Sequence, residues 1–225
     1  IMVKDKEILV PGETLATGMD ILPGIGTYRD GEKIVANRLG LAMIDGRTIK
    51  LIPLSGRYIP KTGDTIICKV IDVSFSGWRL DTNSAYSAML SMKDATSDFI
   101  ARGSNLTQYY DLGDYLVCKI VNVTSQKLVD VTMKGPGLRK LKGGRIIEVS
   151  THKVPRIIGK MGSMVVMIKD ATKCNIVVGQ NGLIWIDGEP MNELLAIETI
   201  RKIEKESHLS GLTDKIKEFL EKNAK

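Results

Sequence analysis

The stretch RIIGKMGSM confines the last third of the chain to few folds. Gly159 and Gly162 bracket Lys160 and Met161, with the apolar pair Ile157 and Ile158 before them and a helix-like run after. Glycines so placed allow a bend that other residues resist, because they enter φ > 0 without a Cβ clash and let another backbone come close. The elements around this knuckle read in a fixed order. RIIEVS is a strand, a short helix is expected around Val154 to Ile158, and a second helix over Ser163 to Thr172. NIVVG and LIWID are strands joined by the turn Gln180-Asn181-Gly182. Pro190 suits a first helical turn, and Met191, Leu194, Leu195, Ile197, Ile200 and Ile203 continue at near-helical spacing toward Glu206. A further amphipathic piece, LTDKIKEFLEK, is expected to start at Thr213-Asp214. The order is β-α-α-β-β-α, with the knuckle between the first two helices.

Charge is concentrated on the same region. Between Lys134 and Gly162 eight cations (Lys134, Arg139, Lys140, Lys142, Arg145, Lys153, Arg156 and Lys160) face the single acid Glu148, so with a net charge of +6 the rest of the chain is near neutral. A helix starting near Ser163 turns its free N–H groups toward the knuckle and favours a phosphate there. Lys160 adds a mobile cation without blocking the approach. The bland explanation of the charge is a solvated linker, and Gly135, Pro136, Gly137, Gly143 and Gly144 make 135–144 read as a linker or extended arm.

Upstream the chain is β-rich. Residues 1–60 fit a small module of three to five strands, with Asp30-Gly31 and Asp45-Gly46 placed for type I′ hairpin turns. Residues 61–134 contain an echo: GDTIICKVIDV and GDYLVCKIVNV match at Gly, Asp, Cys, Lys and the final Val. Both runs are apolar on both faces, as in the wall of a small closed barrel. With GWRLD, SAYSAMLSM and KLVDVTM they make five strands with an insertion before the fourth, the count of an OB-type barrel.

Other chemistries find little support. Three cysteines without a C-x-x-C pair argue against a disulfide framework or zinc site and for a reducing, cytoplasmic setting. No apolar run reaches membrane-spanning length. The only histidines, His152 and His208, read as surface residues, and Asp94 and Asp98 as a solvated face rather than a magnesium site. No phosphate-binding glycine loop opens a helix after a strand. No cofactor, metal or catalytic residue is expected.

The C-terminal order resembles a type I KH domain, whose G-x-x-G loop clamps the backbone of about four nucleotides. The resemblance makes Gly159, Lys160, Met161 and Gly162 the clamp, with Ile158, Arg156 and Lys153 beside it and Arg139, Lys140 and Lys142 in the approaching arm. The barrel resembles the RNA-binding OB-fold first defined in ribosomal protein S-one, with GWRLD standing where that family has a Gly-aromatic turn into its second strand. The resemblance implies that Trp78 stacks on a base, the other reading being that it covers the barrel's end, that Arg79 contacts a phosphate or base, and that Tyr86 lies near the third-strand position. That family's usual histidine is missing between Trp78 and Met92. VPGETLATG, GTYRDGEKIVANRLG, LIPLSGRYIPKTGD and KVPRIIGKMGSM together resemble the RNA-binding cap subunit of the archaeal exosome, over nearly the whole chain. That resemblance implies a ring-docking β domain (1–60), an S-one-type barrel (61–134), the linker (135–144) and a KH domain with C-terminal helices (145–225). It implies a non-catalytic protein, three copies of which sit on a hexameric ring of ribonuclease-PH-like phosphorolytic subunits and pass single-stranded RNA 3′ ends inward. Three alternatives stay open at this point. They are a single-stranded-RNA-binding translation or ribosome-associated factor, a fragment of a polyribonucleotide phosphorylase, and a structural clamp.

Overall fold

The structure, a computed structural model, describes residues 2–223, which divide into two compact units at Gly56–Arg57. The break precedes the expected one after residue 60. Tyr58 explains this: it is 8% exposed in the barrel core and donates its hydroxyl to Asp64 at 2.6 Å, so the barrel begins before Pro60.

The first unit has seven short strands rather than three to five: β1 (Ile8–Leu9), β2 (Thr14–Thr17), β3 (Leu22–Pro23), β4 (Thr27–Asp30), β5 (Lys33–Ala36), β6 (Gly40–Asp45) and β7 (Thr48–Pro53). They form two sheets, β1-β6-β7-β3 and β2-β5-β4, closed around Leu9, Leu15, Ile34, Ile49 and Leu51. Both hairpins turn on two residues, Gly31-Glu32 and Gly46-Arg47, and only the glycine of each has positive φ. That is the pattern of a II′ turn, so the expected I′ geometry is replaced.

The second unit opens with the barrel: β8 (Thr65–Ser74), β9 (Gly77–Asp81), β10 (Ser87–Ser91), the short helix α1 (Met92–Ala95), β11 (Tyr115–Val123) and β12 (Val129–Thr132). Strand order β12-β10-β9-β8-β11, with β12 also pairing β11, closes the five strands. The echoing runs are neighbours in this wall, with Cys68 opposite Leu116 and Ile66 opposite Cys118. Gly77 lets β9 and β10 meet, since a Cβ there would lie 2.2 Å from the Leu90 carbonyl oxygen. Trp78 follows and is fully buried. Its Nε1 donates to the Tyr110 carbonyl at 2.8 Å, and the two rings meet edge to face at 5.2 Å. It plugs the end of the barrel.

The expected arm is not free. β13 (Lys140–Leu141) adds to β11 as a sixth strand, and the Arg139 carbonyl accepts from Val117 N at 2.8 Å. The Lys140 ammonium pairs with the Asp114 carboxylate. Burial opposes that charge most strongly of any single cause, but the Lys140 hydrogen bond, the Asp111 N–H and the Lys140 charge together outweigh it and leave the Asp114 pKa below its ordinary value.

The chain then builds β14 (Arg145–Glu148), α2 (Val154–Ile158), α3 (Ser163–Thr172), β15 (Asn175–Val178), β16 (Leu183–Asp187), α4 (Pro190–Glu206) and α5 (Leu212–Asn223). The antiparallel sheet runs β14-β16-β15. One face carries Ile184 and Ile186 into the helices. The other carries Trp185 onto Ile67, Val117 and Leu141 of the barrel. This explains why both faces of the echoing runs are apolar: Ile66, Cys68, Leu116 and Cys118 fill the barrel, while Ile67 and Val117 cover the sheet. Burying side chains of this size stabilises by about 1.5–3 kcal/mol each.

Asn181 locks the same seam. It is fully buried, donates Nδ2 to the carbonyls of Ile67 (2.7 Å) and Thr82 (2.8 Å), and accepts from Ile67 N at 3.3 Å. Gln180 N adds a bond to the Thr65 carbonyl at 2.9 Å. Barrel and β-α-α-β-β-α module are thus one body.

Candidate nucleic-acid interface

The knuckle forms as its sequence requires. Gly159 takes φ 76°, ψ 174° and ends α2, and Met161 (φ 54°) and Gly162 (φ 82°) are left-handed. A Cβ on Gly159 would lie 2.7 Å from both the Met164 nitrogen and its Cβ, so only glycine fits against the start of α3. Gly162 has open space around its Cβ position and owes its identity to φ. Lys160 is exposed and Met161 is 98% exposed, so the tip stands clear of the body. Gly162 caps α3 with no side-chain hydrogen bond, which leaves the helix's first N–H groups facing the knuckle.

A groove of about 470 Å³ begins beside the knuckle. Ile158, Val165 and Val177 give it apolar walls, Lys169 a cation, and Pro136 and Arg139 of the docked arm its second lip. The arm therefore helps to build the site instead of tethering it. Lys169 and β15 were not singled out from sequence. The signal available was the i, i+4 spacing of Val165 and Lys169, which puts both on one helical face.

The expected cations divide by what they touch. Lys140 and Arg145 are committed to Asp114 and Glu193. Arg156 donates to the Leu209 carbonyl at 3.3 Å, and Arg139 lies over the Trp185 ring at 5.7 Å. Lys142 and Lys160 are exposed and Lys153 is half-buried, and none of them joins an ion pair among the described residues. Lys134 is likewise exposed and unpaired, and a neutral carbonyl does not cancel the Arg156 charge, so six of the eight cations, Lys134, Arg139, Lys142, Lys153, Arg156 and Lys160, keep their charge uncompensated.

The barrel's strand face has a different character. Trp78 offers no ring to a base, which corrects the stacking assignment: its inward-facing strand position sends it into the core. Arg79 is exposed on the outer face, but it sits across from Asp72 on β8 and Met89 on β10, with Asp130 next in line on β12. In the adjacent row Lys69 faces Asp81. Lys119 of β11, across from Thr65 and Thr132, is exposed on the same wall, so three acids against three cations leave this face without the net positive charge that favours phosphates. Tyr86 is 36% exposed on the β9–β10 loop, at the barrel end that adjoins the β-α-α-β-β-α module. Among the described residues no group of three or more His, Cys, Asp or Glu side chains could hold a metal ion.

Comparison with known proteins agrees with this division. The family described as "RRP4, S1 domain" matches residues 57–102, and a KH-domain family matches residues 144–191. The chain is 45% identical over 224 residues to the exosome complex component Rrp4 of Pyrococcus furiosus, covering 98% of this chain and 84% of that protein. To the Rrp4 component of Methanothermus fervidus it is 42% identical over 221 residues, covering 98% and 97%. A crystal structure described as that of an exosome complex RNA-binding protein aligns with TM-score 0.67 and 32% identity, over 75% of this chain and 97% of the other.

Proposed function

The chain belongs to the Rrp4 family of exosome complex components, and on that premise we propose that it is a non-catalytic RNA-binding cap that guides single-stranded RNA into an exoribonuclease ring. The observation that carries this reading is the exposed glycine knuckle at the mouth of a groove fringed by unpaired cations. Such a surface grips a sugar-phosphate chain without chemistry of its own: backbone N–H groups and lysines hold phosphates, and apolar walls accept bases. RNA gains local concentration at the cap and is cut elsewhere. Several copies on one ring, three in our reading on a hexamer of phosphorolytic subunits, would multiply weak contacts through effective concentration. The reducing interior of a cell suits three buried free thiols, and we place the protein in the cytoplasm.

The first unit offers a docking surface of the right kind. On the outer face of its larger sheet Ile8, Leu41 and Ile52 lie in one cross-strand row, with Met43 in the next. Ile8 is 64% and Ile52 45% exposed. An apolar row on a small sheet is suited to burial against another protein. Replacing Ile8 and Ile52 together by Glu is expected to weaken association with the ring by about 30-fold, the scale of a lost interface anchor. RNA binding by the free chain should be unchanged. Undiminished co-elution of this variant with the ring would remove the docking face.

RNA binding itself should fall steeply with salt. If about four of the unpaired cations each neutralise one phosphate, raising monovalent salt from about 50 to about 200 mM should weaken binding to a single strand by ~50-fold. Fluorescence anisotropy with a labelled oligoadenylate reads this directly, and a flat salt profile would contradict phosphate clamping. Decay of poly(A) by the ring with and without the chain then tests the guiding role. Equal rates would count against it.

A further inference from the structure

Two phenylalanines stand almost wholly in solvent at one end of the barrel. Phe75 is 91% exposed at the tip of the β8–β9 turn, and Phe99 is 90% exposed in the segment between α1 and β11. The topology places them at the same end. β8 ends there, β9 starts there, and β10 delivers the chain into the Phe99 segment. A bond from Met92 N to the Ser76 carbonyl, 3.3 Å, ties that segment's root to the Phe75 turn. Beneath them the end is plugged by Trp78, Ile100 and Leu106, with the Tyr110 hydroxyl donating to the Ala95 carbonyl at 3.0 Å. Phe99 is therefore carried on an anchored segment: its neighbour Ile100 is 7% exposed.

We propose that Phe75 and Phe99 are base-stacking residues through which the barrel's end, rather than its strand face, holds single-stranded RNA. The proposal rests on the RNA-guiding reading above and adds where and how the barrel takes part. Bases are favoured over a protein surface as the occupant for three reasons. The rings are not part of a continuous apolar patch: Ser74, Ser76 and Gly77 surround one in sequence, and Ser97, Asp98, Arg102, Gly103 and Ser104 the other. A protein interface would need a continuous apolar centre, whereas a base needs one flat face. Exposed Lys93 and Arg102 flank the segment, and Lys134 follows Met133, whose N–H bonds to the Asp94 carbonyl at 2.8 Å. These cations can hold phosphates beside the rings. Finally, on the outer wall Asp72, Asp81 and Asp130 offset Lys69, Arg79 and Lys119, whereas at the end Lys93, Arg102 and Lys134 outnumber Asp94 and Asp98, so the net attraction for phosphates lies at the end.

The test uses the full chain and two labelled oligomers of equal length, an oligoadenylate and an abasic ribose-phosphate strand. Wild type should bind the oligoadenylate more tightly. Phe75→Leu with Phe99→Leu keeps apolar bulk but removes both rings, and should lose about tenfold or more on the oligoadenylate with little change on the abasic strand. Phe75→Tyr with Phe99→Tyr should retain binding. If wild type binds neither oligomer, the RNA-guiding reading itself fails. If wild type binds and the Leu variant matches it on both, the stacking proposal alone is overturned. Loss of co-elution with the ring in the Leu variant, at unchanged RNA affinity, would likewise overturn it and make the pair a protein contact.

Discussion

Asn181→Leu is expected to destabilise the barrel–KH body by about 4 kcal/mol. The side chain makes three hydrogen bonds from a fully buried position, to the N–H and carbonyl of Ile67 and the carbonyl of Thr82. Leucine has similar size but satisfies none of them. Each buried backbone group left without a partner costs about 1–3 kcal/mol, and the total sits at the upper end of single-substitution effects. Asn181→Asp should be nearly as damaging, since it keeps an acceptor for Ile67 N but points oxygen at two carbonyls. The chain's two tryptophans, Trp78 and Trp185, both lie in this body. Their fluorescence in a urea titration therefore reports it separately from the first unit. A midpoint shift equivalent to less than about 1 kcal/mol would show that the seam does not depend on Asn181.

Lys160→Asp combined with Met161→Asp should leave that urea midpoint in place and still weaken RNA binding by about 30-fold. Both side chains are exposed, and Met161 sits at φ 54°, where Asp is more at ease than Met. The knuckle would keep its shape and lose its sign. Reversing one cation and adding a second anion against a phosphate amounts to about 2 kcal/mol at surface dielectric. Anisotropy with oligoadenylate at low salt measures it. An unchanged affinity would take the knuckle out of the mechanism.

Local chemistry explains which parts could be read in advance. α2, α3 and α4 begin and end where Pro190, the glycine pair and the apolar spacing put them, because those signals act within a few residues. The barrel strands were legible for the same reason. The meaning of Trp78 was not: GWRLD fits an inward or an outward tryptophan equally, and only the pairing of β9 with β8 and β10 decides it. The 135–144 segment misled because glycines and cations look alike in a loose arm and in an arm held by β11. What holds it is Leu141, Val117 and Trp185, residues far apart in the chain. Asn181 likewise reads as an ordinary turn residue until Ile67 and Thr82 arrive beside it. Two-residue strands such as β1 and β3 leave no periodicity to detect. The apolar row on the first unit follows from a cross-strand register that sequence alone does not specify.

The docked arm has one more consequence. With β13 fastened to β11 and Asn181 bridging the seam, the spacing between the knuckle and the far end of the barrel is set by hydrogen bonds and not by a tether. No joint has to be frozen when one strand spans both places, so little disorder is lost on bridging. A strand too short to reach gains nothing from the second place. On the proposed stacking, a strand long enough to reach both places would be held more tightly than a shorter one, whatever its bases.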